Sequence, residues 1–147
     1  SRAFAGSTVV AEALILDSEA LNALANPTAR GALATRARAI LSVAHETRAL
    51  VRVPAPVLAE VCRGPRFDVA VERVLTDRGI LVHDLRRAAA QRAGNLLAKA
   101  KLSSAHAVDA FVVATALEYE FAVIATADPR DIRRLAAPFK SLTVFAL

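Results

Sequence analysis

Short apolar runs recur along the chain and are separated by longer stretches in which apolar and polar residues follow a helical period. A short run with few charges is typical of a strand that is buried on both faces, as in a parallel sheet. The pattern predicts five strands, at Ala13–Leu16, Leu50–Val53, Ile80–Val82, Phe121–Ala125 and Leu142–Phe145.

The stretches between these runs are predicted to be helices. Pro54 and Pro56 suit the start of one helix, and Gly64 with Pro65 closes it. Five strands that alternate with helices predict an α/β domain with a parallel sheet and right-handed crossovers. The predicted helices are Ala29–Arg48, Ala55–Cys62, Phe67–Asp77, Leu85–Lys101, Ala105–Glu120 and Asp131–Ala136.

The composition suits a single folded domain. The chain has 147 residues, of which 55% are hydrophobic and 22% are charged, so it can bury a core and is not expected to be disordered. Aromatic residues make up only 5%, so the core is predicted to be aliphatic. We expect the domain to span residues 13–147. Residues 1–12 are expected to form an N-terminal tail, native or left from a vector, that leads into the first strand.

The sequence predicts no contact with a membrane. No stretch approaches the roughly 20 apolar residues that a bilayer-spanning helix needs. Residues 1–12 also lack the continuous apolar core of a signal peptide. The single cysteine, Cys62, excludes an internal disulfide and every multi-cysteine zinc motif. We therefore expect a protein of a reducing compartment, the cytoplasm.

Two aspartates follow predicted strands. Asp17 comes directly after the first strand, and Asp128 comes shortly after the fourth. In parallel sheets the functional crevice lies beyond the carboxyl ends of the strands. These two carboxylates are therefore expected at the same edge of the sheet.

Asp109 and Glu60 lie in predicted helices among apolar neighbours. A carboxylate on an apolar face is costly unless it is paired or binds a metal. Two simpler interpretations stay open. In the first, Asp109 lies on the solvated stripe of its helix and pairs with His106 three residues earlier. In the second, Glu60 is merely a solvated glutamate on a short helix.

Taken together, the acids indicate one negatively charged pocket. Carboxylates that lie close together raise one another's pKa unless a cation neutralises them. Mg²⁺ or Mn²⁺ is the expected cation, because hard cations take oxygen ligands and retain waters that can be used in hydrolysis. The predicted members of the pocket are Asp17, Glu60, Asp109 and Asp128.

The charge of the rest of the chain favours a polyanionic partner. The sequence has 19 basic and 14 acidic residues, a net charge of +5, and the excess grows when the pocket acids are set aside. A basic exterior around an acidic, metal-binding pocket is typical of a nuclease. For any single basic residue, a solvated helix face is the alternative. The predicted RNA contacts are Arg86, Arg87, Arg92, Lys99 and Arg130.

Four segments carry the acids in order along the chain, and together they resemble a known family. The set is similar to the motifs of the PIN-domain ribonucleases, and within them to the VapC-type toxins of bacterial toxin–antitoxin pairs. Asp17 is followed by the small hydroxyl residue Ser18, as in the first motif of that family. The matching segments are ALILDSEALNAL (13–24), PAPVLAEVCRG (54–64), HAVDAFVVATA (106–116) and FAVIATADPRDIRRL (121–135).

This resemblance implies a sheet of strand order 3-2-1-4-5 and a Mg²⁺- or Mn²⁺-dependent endoribonuclease. It implies that Asp17 and Asp109 bind the metal directly, while Glu60 and Asp128 complete the catalytic pocket. It also implies a homodimer and a cognate VapB-type antitoxin that places a basic side chain in the pocket.

Several assignments keep an alternative. Glu19 is either an additional acid near the pocket or an exposed residue at a helix start. Asp131 competes with Asp128 as the fourth acid, although we expect Asp131 to cap the helix that follows it. His106 is either a general base or, as we favour, a local hydrogen-bonding partner. Four acids suit one or two metal ions. The alternative to an enzyme is a PIN-fold binding protein that serves antitoxin docking or operator-bound repression.

Overall fold

The sheet is the framework of the domain. The computed structural model of the protein describes residues 11–147, so residues 1–10 of the predicted tail lie outside the described residues. Five parallel strands form one sheet in the order β3-β2-β1-β4-β5, which confirms the predicted α/β class and strand order. The strands are β1 (Ala13–Leu16), β2 (Leu50–Pro54), β3 (Leu81–His83), β4 (Ala122–Thr126) and β5 (Leu142–Ala146).

The two central strands supply the middle of the core. Every residue of β1 and β4 is buried, and Ile15 pairs in register with Ile124. Apart from Thr126, the side chains of these two strands are apolar. Their burial stabilises the fold by about 25 cal/mol per Å² of apolar surface removed from water. The strands β3 and β5 lie at the two edges of the sheet and are partly exposed.

Seven α-helices flank the sheet within residues 11–147. None of them is both long enough and apolar enough to cross a bilayer. A 3₁₀ turn, Ser104–His106, precedes the sixth helix. The helices are α1 (Ser18–Ala25), α2 (Pro27–Glu46), α3 (Ala55–Val61), α4 (Pro65–Asp77), α5 (Arg87–Ala100), α6 (Ala107–Ala116) and α7 (Pro129–Ala136).

Helix α1 is absent from the predicted helices, although a helix start at Glu19 is one of the two interpretations of that residue. It begins one residue after Asp17, whose side chain accepts a hydrogen bond from the Ala20 N–H and so caps the helix. Strand β1 and helix α1 are both rich in apolar residues. The sequence therefore does not show where the apolar pattern of the strand ends and that of the helix begins. In the sequence alone, Asp17 indicates only the end of the strand.

Two details near the site differ from the prediction. The segment expected to form one helix over Ala105–Glu120 is a 3₁₀ turn followed by α6, which ends at Ala116. The expectation that Asp131 caps the last helix of the chain is wrong. Helix α7 begins earlier, at Pro129, with Asp128 at the capping position, because proline at the first helical residue fixes the start. Asp131 lies in the first turn.

Helix α2 is kinked near its beginning. Gly31 has φ of 32° and ψ of −103°, a conformation outside the helical region that residues with a side chain rarely adopt. The kink separates the first turn, which carries Arg30, from the long second part of the helix. This first turn borders the cleft described below.

Candidate active site

A cleft of about 740 Å³ opens at the edge of the sheet where β1 and β4 end. All four predicted pocket acids line this cleft. Asp17 follows β1, Glu60 lies on α3, Asp109 on α6, and Asp128 follows β4. The fold therefore brings together side chains that are far apart in sequence, while their metal-binding and catalytic roles stay predictions.

Asp17 is the most buried acid of the cleft, with 7% of its surface exposed. Its Oδ1 accepts a hydrogen bond from the Ala20 N–H at 2.9 Å. Burial raises the pKa of Asp17 to about 6, although hydrogen bonds from Thr126 and Ala20 oppose the shift. The negative charges of Asp109 and Glu19 raise the pKa further. Ionising this carboxylate is costly unless positive charge is brought to it.

Thr126 connects the two aspartates that follow the central strands. Its side chain is fully buried at the end of β4. The hydroxyl accepts a hydrogen bond from the Asp128 N–H at 3.0 Å, and the same side chain hydrogen-bonds to Asp17. A single threonine thus fixes the backbone after β4 relative to the first residue after β1.

Glu60 is held from across the cleft by Ser18. The Ser18 hydroxyl donates a hydrogen bond to Glu60 Oε1 and so joins the start of α1 to α3. Glu60 is exposed, as the simpler interpretation expects, but it lines the cleft and makes a specific contact there. Its position fits a carboxylate that reaches a ligand from the open side of the cleft.

Asp109 is half-buried on α6 and lies among the other acids. Burial raises the pKa of Asp109, and the charges of Asp131, Glu60 and Asp128 raise it further. The nearby His106 acts in the opposite direction and lowers it. Asp109 therefore takes part in the cluster and also faces His106, so the two interpretations of this residue are compatible.

The cleft fits a hard divalent cation. Five acids and two arginines line it, so its lining carries a net negative charge when the acids are ionised. Carboxylate oxygens are the ligands that Mg²⁺ and Mn²⁺ prefer in proteins. Two of the acids, Asp17 and Asp109, have raised pKa values because they are buried near like charges, and a bound cation would favour their ionised forms.

The PIN domain family matches residues 14–138 of the chain. The chain belongs to the PIN domain family. PIN domains are generally nucleases that use a divalent metal, and the matched residues of this PIN domain include all five acids of the cleft. No curated protein matches the chain.

A second group of ligand atoms lies beside the cleft of this PIN domain. His106 Nδ1 is 3.3 Å from Asp131 Oδ2 and 3.9 Å from Asp109 Oδ2. His106 Nδ1 therefore faces two carboxylates, one three residues away and one on α7, and its role stays a prediction. Asp128 lines the cleft, whereas Asp131 contacts His106 and influences Asp109 by its charge. The two candidates for the fourth acid thus occupy different positions.

The predicted RNA contacts do not line the cleft. All five are exposed, and four of them lie at the start or on the surface of α5. The Arg92 guanidinium also lies 5.8 Å from the centre of the Phe139 ring. A role in binding the RNA backbone outside the cleft stays a prediction for Arg86, Arg87, Arg92, Lys99 and Arg130.

Among the cleft residues that sequence reasoning missed are Arg30, Arg63 and Phe67. Arg63 could have been found, because it lies only three residues after Glu60, just beyond the end of α3. Phe67 has a weaker signal, as one of six phenylalanines in a chain poor in aromatic residues. Arg30 has no local signal. It reaches the cleft through the α1–α2 hairpin, where its Nη1 lies 3.3 Å from Glu19 Oε2.

Proposed function

We propose that this PIN domain is a metal-dependent endoribonuclease that acts as the toxin of a toxin–antitoxin pair. The observation that carries the proposal is the convergence of Asp17, Glu60, Asp109 and Asp128 on one cleft at the carboxyl edge of the sheet. Membership of a family of metal-dependent nucleases supports the reaction class. The resemblance of the four motifs to VapC-type toxins supports the choice of RNA and the toxin role.

In this proposal Asp17 and Asp109 hold Mg²⁺ or Mn²⁺, and Glu60 and Asp128 complete the pocket. When bound, the cation activates water for attack on phosphorus and offsets the charge that develops in the transition state. Asp17 is fixed by its cap on α1 and by Thr126, so its oxygens need little reorganisation. Ser18 holds Glu60 in the same way.

The two arginines of the cleft are suited to hold the RNA backbone. Arg30 and Arg63 border the carboxylates, and arginine binds phosphate oxygens through several donors at once. Arg63 is exposed, and Arg30 exchanges its ion pair with Glu19 for a phosphate in this proposal. The exposed basic residues on α5 extend the electrostatic attraction outside the cleft.

The proposed reaction is hydrolysis of a phosphodiester by in-line attack of water. The new bond forms between the water oxygen and phosphorus, and the bond from phosphorus to the 3′-oxygen breaks. The 3′-oxygen takes up a proton and leaves as a hydroxyl, and the phosphate stays on the 5′ side of the next nucleotide. The ribose 2′-hydroxyl takes no part.

The proposal is tested by incubating the purified chain with total RNA in Mg²⁺, in Mn²⁺ and in a chelator. Cleavage that occurs with metal and stops with the chelator is the expected result. A folded protein that cleaves no RNA in either metal would overturn the enzymatic proposal. The binding role, with the acidic cleft as a socket for a basic partner, would then account for the same residues.

Phe67→Ala is expected to lower kcat/KM for single-stranded RNA by about tenfold. The ring lines the cleft and is 50% exposed, and stacking of a base on an aromatic ring contributes about 1–3 kcal/mol. The stability of the fold should change little, since half of the ring is already in water. The matched control is Val69→Ala on the same helix, because Val69 is 56% exposed and does not line the cleft. Equal kinetics for the two variants would show that Phe67 does not contact RNA.

The partners belong to the same proposal. A VapB-type antitoxin would place a basic side chain in the cleft, whose lining is acidic. A second copy of the chain is the proposed homodimer partner, and the exposed Leu81 and Val82 on β3 offer apolar surface at the sheet edge.

Induced expression of the chain without an antitoxin is expected to arrest growth, and expression of Asp109→Asn is not. Growth that continues with the wild-type chain, at an equal protein level, would contradict the toxin role.

A further inference from the structure

Three side chains beside the cleft bring their ligand atoms close together. An imidazole nitrogen of His106 and one carboxylate oxygen each from Asp109 and Asp131 all lie within 4.8 Å of one another. The three residues come from three different elements, the 3₁₀ turn, α6 and α7. All three are half-buried, so they remain accessible to a small ligand.

The distances from His106 Nδ1 to the two carboxylate oxygens are close to those between neighbouring ligands of a metal, and the two oxygens lie within 4.8 Å of each other. Metal–ligand distances of about 2.0–2.2 Å place neighbouring ligand atoms roughly 2.8–3.6 Å apart in octahedral and tetrahedral sites. His106 Nδ1 and Asp131 Oδ2 are 3.3 Å apart, which already fits this value. His106 Nδ1 and Asp109 Oδ2 are 3.9 Å apart, so a small side-chain rotation closes the remaining gap.

We propose that His106, Asp109 and Asp131 form a second divalent-metal site that prefers a first-row transition metal to Mg²⁺. The preference follows from the imidazole, because nitrogen is a good ligand for these metals and a poor one for Mg²⁺. The inference rests on the proposed nuclease, since the two sites share Asp109. One oxygen of Asp109 would serve each site.

A shared carboxylate has a consequence for the reaction. Enzymes that cleave phosphodiesters with two metals use them to stabilise both the attacking and the leaving oxygen. His106 would then be a metal ligand instead of a general base, with its Nδ1 lone pair directed at the metal. Asp131 would belong to this second site, whereas Asp128, which lines the cleft, would belong to the first.

The experiment is a manganese titration of the tag-free chain, followed by electron paramagnetic resonance and by pulsed measurements that detect nitrogen bound to Mn²⁺. The wild-type chain is expected to bind about two Mn²⁺ ions and to show coupling to a histidine nitrogen. His106→Gln and Asp131→Asn should each bind one ion fewer, and His106→Gln should lose the nitrogen coupling. His45→Gln is the matched control, because His45 is exposed and its ring contacts the Arg78 carbonyl oxygen. The His45→Gln variant should keep both the second Mn²⁺ ion and the nitrogen coupling.

The outcomes separate this inference from the proposed function. Nitrogen coupling that is absent from the wild type, or unchanged in His106→Gln, would overturn the second site and leave His106 as an ion-pair partner only. If such a chain still cleaves RNA in a metal-dependent way, the nuclease proposal stands without the second site. Nitrogen coupling in a chain that cleaves no RNA supports the metal site and contradicts the nuclease.

Discussion

Asp109→Asn is expected to lower the rate of RNA cleavage by more than about 100-fold. Loss of a residue that only supports a metal ligand typically costs 10–100-fold, so loss of a ligand should cost more. Asp109 lies where the charges of Asp131, Glu60 and Asp128 all influence it. Asparagine keeps the shape of the side chain but removes the negative charge that the cation needs.

The loss should occur without unfolding. Asp109 is half-buried beside like charges, so replacing it by a neutral amide removes repulsion instead of adding strain. The measurement is the single-turnover rate on a defined RNA, with unfolding in urea as a check of stability. Asp84→Asn is the matched control, because Asp84 is exposed and does not line the cleft. Cleavage by Asp109→Asn at the rate of the control would contradict the account.

Asp17→Asn is expected to stabilise the metal-free protein at pH 7.5 by about 1–3 kcal/mol. The pKa of Asp17 is about 6 in the folded protein, above its ordinary value of 3.8. The folded state therefore binds the proton more tightly than the unfolded state. The stability that this provides is fully present below about pH 4 and is lost as the pH rises through 6. At pH 7.5 the wild type must keep a charged carboxylate buried, at a cost of about 3 kcal/mol.

Asparagine removes this cost and retains most of the structural role. It caps helices about as well as aspartate, so the hydrogen bond from the Ala20 N–H is kept. It has one oxygen fewer for Thr126, which accounts for the lower end of the expected range. The measurement is urea unfolding in a chelator at pH 7.5 and pH 4. The gain should shrink to a small fraction at pH 4.

Metal is expected to reduce or reverse the difference in stability between these two proteins. A ligand at 100 times its Kd stabilises the folded state by about 2.7 kcal/mol, so Mg²⁺ or Mn²⁺ should raise the unfolding free energy of the wild type. Asp17→Asn should gain much less, because a ligand is missing. An Asp17→Asn protein that is less stable than the wild type at pH 7.5 without metal would contradict the assignment of a costly buried charge.

The strands could be predicted from the sequence because each strand is a short apolar run between polar, helical stretches. Their order is implied only by the resemblance to the PIN-domain ribonucleases. The runs at Ala13–Leu16 and Leu142–Phe145 agree with the observed strands to within one residue. Helix α1 could not be predicted in this way. Its apolar residues continue those of β1, and the one polar signal at the junction, Asp17, serves both as strand end and as helix cap.

The acids of the cleft could be predicted because each breaks a local pattern. Asp17 and Asp128 interrupt the chain just beyond buried strands, and Glu60 and Asp109 interrupt apolar helical segments. The two arginines and the phenylalanine of the cleft could not be predicted, since arginine and phenylalanine are ordinary residues in helices. Arg30 depends on the packing of α1 against α2, which no spacing in the sequence specifies.

The central claim is that this cleft hydrolyses RNA with water as the nucleophile. The most direct test is the chemistry of the fragment ends after cleavage of a defined RNA by the purified chain in Mg²⁺ or Mn²⁺. The account predicts 5′-phosphate and 3′-hydroxyl ends, and no such fragments from Asp109→Asn. Fragments that carry a 2′,3′-cyclic phosphate would show attack by the ribose 2′-hydroxyl and would contradict the account.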